Sequence, residues 1–171
     1  MLRRLWIVAA VTAALSCGPA WAQVAEDEFG FLETWEVLSE EVRLGQRKLT
    51  DLGLPLGYDR ELSKPSEAGL FRVSVSPEEA PAPFNEIHTW LIRIETLNGA
   101  PISGAEVKFY GGMPLHNHGF PTDPRITGEV EPGTYAVEGI KFSMTGWWAM
   151  AMGITADEKT DKVSFNVLVE P

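Results

Sequence analysis

Leu70-Phe71-Arg72-Val73-Ser74-Val75 and Ile87-His88-Thr89-Trp90-Leu91-Ile92-Arg93-Ile94 decide the fold class. Successive side chains of a strand point to opposite faces, so apolar residues at every second position mark a strand with one buried face. His88, Trp90, Ile92 and Ile94 fall together on such a face, and the proline-rich residues 77–83 separate the two runs. The same alternation predicts strands over residues 105–110, 134–144, 147–156 and 163–169, with one more around 125–130 inside a long excursion that spans 111–133. The turn Leu97-Asn98-Gly99-Ala100-Pro101, Gly139, Thr145-Gly146 and residues 157–161 interrupt them. About seven short strands with no helical pattern between them predict an all-β, immunoglobulin-like antiparallel β-sandwich. The cysteine and tryptophan hallmarks of antibody domains are absent, so the likeness is architectural.

Ahead of the strands the pattern changes. Phe31, Trp35, Leu38, Val42 and Leu49 have the spacing of one helix face, weakened by Gly45, and predict an N-terminal helical arm reaching about Gly53. Gly53, Pro55, Gly57 and Pro65 mark residues 52–64 as connector. The expected organisation is a leader at 1–22, arm and connector at 23–64, and the sandwich domain at 65–171. In the leader, Arg3 and Arg4 precede the apolar run 5–15, and Ala20-Trp21-Ala22 offers a cleavage site before Gln23. That run is shorter than a membrane-spanning helix, so a soluble exported protein with no transmembrane segment in the mature chain is expected, in the periplasm. Lipidation at Cys17 is the weaker alternative, because leucine directly before the serine is unusual in a lipoprotein signal.

The chain carries a formal charge of −10, and loss of Arg3 and Arg4 would leave about −12. With no basic stripe to offset it, nucleic acid and anionic lipid are not expected partners. The single cysteine, Cys17, leaves with the leader, which removes disulfides and thiolate metal sites. No glycine-rich phosphate loop or nucleophile elbow is present.

Gly111-Gly112-Met113-Pro114-Leu115-His116-Asn117-His118-Gly119-Phe120 is the stretch that bears chemistry. It sets two imidazoles and a thioether within six residues. In an extended segment the rings of His-x-His fall on the same side. Imidazole is a borderline ligand and thioether a soft one, a combination that favours copper, Cu(I) above all, over magnesium or calcium. His88, the only other histidine, and Met144, just ahead of Trp147 and Trp148, complete the candidate set of His88, Met113, His116, His118 and Met144. The plainer reading stands beside it. Methionines usually fill cores, tryptophans usually pack, and a lone histidine on an apolar face is usually a core residue. His116 and His118, read as two exposed rings in a loop, have no packing reason to be paired. Replacing both with alanine is expected to cost about 0.5 kcal/mol.

His88-Thr89-Trp90, Asn98-Gly99-Ala100-Pro101-Ile102-Ser103-Gly104-Ala105-Glu106-Val107, Gly112-Met113-Pro114 to His118-Gly119, Pro132-Gly133-Thr134-Tyr135 and Phe142-Ser143-Met144-Thr145-Gly146-Trp147-Trp148 together resemble the YtkA-like and FixH-like exported bacterial domains. The resemblance covers roughly residues 69–169. It implies a small sandwich outside the cytoplasmic membrane, linked to copper handling and respiratory oxidase assembly. A FixH-like protein retains a membrane anchor, which this chain lacks in its expected mature form.

The leading expectation is a periplasmic metal-binding protein, a copper carrier or buffer that passes Cu(I) or Cu(II) to an envelope protein by ligand exchange. The alternative is a structural or interaction module of the cell envelope. An enzyme is not expected: a zinc centre of His88, His116 and His118 would need a general base, and only Asp123 and Glu86 offer one.

Overall fold

The computed structural model describes residues 40–41, 43–45 and 48–170, and over these the protein is all-β with two antiparallel sheets. Strands β1 (Ser63–Pro65), β2 (Arg72–Pro77), β3 (His88–Glu95), β6 (Arg125–Glu131) and β7 (Thr134–Ile140) form a five-stranded sheet in the order β1-β2-β3-β7-β6. Strands β4 (Glu106–Met113), β5 (His118–Gly119), β8 (Gly146–Ala156) and β9 (Lys159–Val169) form a four-stranded sheet in the order β5-β4-β8-β9.

One core joins them. Val73 and Val75 of β2, Trp90, Ile92 and Ile94 of β3, and Val137 and Ile140 of β7 meet Trp148, Met150, Met152 and Ile154 of β8 and Val163 and Phe165 of β9. Full burial of each large apolar side chain stabilises by about 1.5–3 kcal/mol, so the alternation in β2 and β3 sets both register and face. Met150 and Met152 are packing residues, wholly enclosed. The other face of β8 is also covered, because Leu54, with Tyr58, Leu115 and Leu168, packs over Trp147 and Ala149.

Two polar clasps fix connections. The Tyr135 hydroxyl donates to Ile102 O at 2.9 Å and accepts from the Ala105 N–H at 2.8 Å, pinning the link between β3 and β4. The buried Asp161 carboxylate accepts from the N–H groups of Ala68, Leu70 and Lys162, which ties the β1–β2 connection to β9.

Three expectations change. Residues 40, 41 and 43 are helical, but Leu49 pairs with Pro55 in an isolated antiparallel bridge, so no helix reaches Gly53. Phe31, Trp35, Leu38 and Val42, like the leader, lie outside the described residues. The stretch read as a loop from residue 111 is ordered through Met113 in β4, a 3-10 turn at Pro114–His116 and β5, because β5 pairs with the end of β4. The strand expected to run to residue 144 stops at Ile140. Among the described residues no helix is long and apolar enough to cross a membrane.

Candidate metal centre

Glycine builds the platform. A Cβ on Gly111 would lie 2.3 Å from Phe120 Cε2, and one on Gly112 would lie 2.3 Å from His118 O. The absence of side chains therefore lets β5 close onto β4, pairing Gly112 with Gly119 and Met113 with His118. Pro114 enters the 3-10 turn at its first position, and Asn117 leaves it in the left-handed region at φ 51°, hydrogen-bonding back to Pro114 O. This reversal replaces the extended His-x-His geometry expected from the sequence. The rings of His116 and His118 still come together, with centroids 5.7 Å apart.

His118 is partly buried rather than exposed. Its Nδ1 lies 2.8 Å from Gly119 O. A carbonyl only accepts, so Nδ1 carries the proton and the lone pair stays on Nε2, the tautomer that suits a metal ligand. The ring meets Trp148 edge-on at 5.9 Å between centroids. His116, the last residue of the 3-10 turn, is exposed. Met113 is 2% exposed, and as the cross-strand partner of His118 it puts its thioether on the same face of the sheet.

Met113 and His116 also line a cleft of about 270 Å³, with Leu115 beside them, Thr145, Gly146 and Trp147 on another side, and Asp51, Leu52 and Gly53 on a third. The sequence pattern puts Asp51 in the helical arm and starts the connector at Leu52. Asp51 carries no motif around it, and only the burial of Leu54 against Trp147 brings it here.

His88 stands apart. Its ring contacts Phe142 at 5.3 Å, Phe142 contacts Trp148 at 5.4 Å, and Trp148 contacts His118, so this contact path passes through two aromatic rings. Its Nδ1 faces Glu86 O at 3.0 Å, and its Nε2 is buried without a hydrogen-bond partner among the described residues. Met144 lies on the β7–β8 connection with 40% exposure, and its carbonyl accepts the Trp148 indole N–H at 3.0 Å. Among the described residues no three of His, Cys, Asp and Glu gather as a metal-holding group, so the three histidines do not assemble the zinc centre weighed above. Asp123 is engaged by Arg125 on the surface, just ahead of β6. The structure thus unites Met113, His116 and His118, sets Asp51 across the cleft, and leaves His88 and Met144 at the margins.

A family model described as YtkA-like matches residues 66–153. No curated protein matches the chain. Among solved structures, the ZirS C-terminal domain is similar at 14% identity, over 65% of this chain and 72% of that one, with a TM-score of 0.36, a likeness too loose to bear on function.

Proposed function

The chain belongs to the YtkA-like family, and from that premise we propose that it is a periplasmic copper-binding protein, a carrier or buffer on an immunoglobulin-like sandwich. The observation that carries the proposal is the approach of the His116 and His118 rings to 5.7 Å between centroids, with Met113 the cross-strand partner of His118 and the His118 tautomer fixed by Gly119 O. Two imidazoles and a sulfur suit Cu(I), and neutral ligands need no deprotonation to bind it. His116 is exposed, so a receiving protein can reach the metal and take it by ligand exchange. Arg3 and Arg4 ahead of the apolar run 5–15 support the periplasmic reading.

One observation favours the alternative of a structural or interaction module: no three of His, Cys, Asp and Glu gather among the described residues. A binding titration of Cu(I) against a competing chelator separates the two. Copper binding at one equivalent, lost in His116→Ala/His118→Ala, supports the carrier; a parent protein that takes no copper leaves the module.

A further inference from the structure

The outer face of the five-stranded sheet carries a groove of about 370 Å³. Trp90 and Ile92 of β3 and Tyr135 and Val137 of β7 belong to the core, so the residues that alternate with them, Leu91, Thr134, Ala136 and Glu138, face away from it. Leu91 stands opposite Ala136 in the β3–β7 register, and the two make an apolar floor. Val130 of the edge strand β6, 56% exposed, adds an apolar wall. Thr134 lines the same groove. It is only 7% exposed, and its hydroxyl makes no hydrogen bond among the described residues, which leaves that hydroxyl to whatever enters the groove.

Three glutamates rim this floor: Glu78 just past β2, Glu131 at the end of β6 and Glu138 in β7. No lysine or arginine lines the groove, and Arg93, the cross-strand partner of Thr134, is held by Glu95 instead. Glu138 accepts from Thr127 Oγ1 at 3.0 Å, whereas Glu78 and Glu131 are exposed and form no ion pair with the described residues. The three carboxylates do not gather as a metal-holding group. Too scattered for one ion, they match cationic side chains spaced along a polypeptide. We propose that this groove docks a basic segment of a partner protein, whose lysine or arginine side chains meet Glu78 and Glu131 while the apolar residues between them rest on Leu91, Ala136 and Val130. The net charge of −10 adds attraction at longer range.

The test titrates the full, metal-free chain with a synthetic peptide that alternates lysine and leucine, followed by amide chemical shifts. The shifts should gather at Thr89, Leu91, Thr134 and Ala136, leave His118 on the other sheet unmoved, and fade as salt rises from about 0.1 to about 1 M, where the screening length falls from about 10 to about 3 Å. Glu78→Gln/Glu131→Gln should weaken the peptide about tenfold, the scale of two lost surface ion pairs. Asp157→Asn/Glu158→Gln removes the same charge from the exposed β8–β9 turn and should leave binding within about twofold. A peptide that alternates glutamate and leucine should not bind. Equal weakening in the two variants, shifts outside the groove, or binding of the glutamate peptide overturns the proposal, because net charge or apolar contact alone would then suffice. The same shifts with calcium chloride alone overturn it in favour of a divalent cation.

Discussion

Gly111 and Gly112 are where single atoms decide the site. An alanine at Gly112 would drive a methyl into His118 O and Gly119 Cα, at 2.3 and 2.7 Å, so β5 must lift from β4 and take His118 with it. Gly112→Ala should lower stability by about 1–3 kcal/mol, the range for overpacking, and weaken copper binding in the same protein, as read by urea denaturation and metal titration. The two histidines should also behave differently. His116→Ala should stay within about 0.5 kcal/mol, as a surface change does, whereas His118→Ala loses its edge contact with Trp148, worth about 1 kcal/mol, so the double replacement should cost more than a surface change does. The sequence displayed these residue types plainly. It did not show that the glycines serve a close approach of backbones rather than a loop, because that need comes from Phe120 and β5.

Elements were legible in proportion to their length. Strands β2, β3, β8 and β9 run for six to eleven residues, long enough for alternation or continuous burial to register. Strands β1 and β5, of three and two residues, are too short to show a period, although each pairs with a strand close by in sequence. The hairpin at 48–56, closed by the Leu49–Pro55 bridge, was hidden because Leu54 looks like any connector leucine until Trp147 is placed beneath it. Leu54→Ala should therefore release this hairpin, with faster amide exchange over residues 48–58 and little change in β2 and β3, as followed by hydrogen exchange. Asp161 gives a second test. Burial would raise its pKa, but hydrogen bonds from Ser66 and from the Ala68, Leu70 and Lys162 N–H groups outweigh that and hold it below the ordinary 3.8. A depressed folded-state pKa contributes stability that is complete above the unfolded value and is lost as pH falls through the folded one. Acid unfolding below about pH 4 should thus be less steep in Asp161→Asn than in the parent.

At the scale of the whole molecule, the number and faces of the long strands follow from alternation, while their order does not. Sequence gives no sign that β7 lies between β3 and β6, since that order rests on side-chain fit across the shared core. The same gap applies to the site: His-x-His and a nearby methionine were visible, but their convergence and the exclusion of His88 needed the path through Phe142 and Trp148. Residues 40–170 contain no cysteine, so reductant should leave the melting temperature unchanged. Copper at a hundredfold over its dissociation constant should stabilise the fold by about 2.7 kcal/mol through mass action, read as a rise in melting temperature. Copper held between the histidine pair and the Met113 sulfur would show both ligand types in the X-ray absorption spectrum of the Cu(I)-loaded protein at the copper edge. Imidazole nitrogen scattering is expected together with one sulfur that disappears in Met113→Leu; a copper environment free of sulfur, or unchanged in that variant, would rule out ligation by Met113.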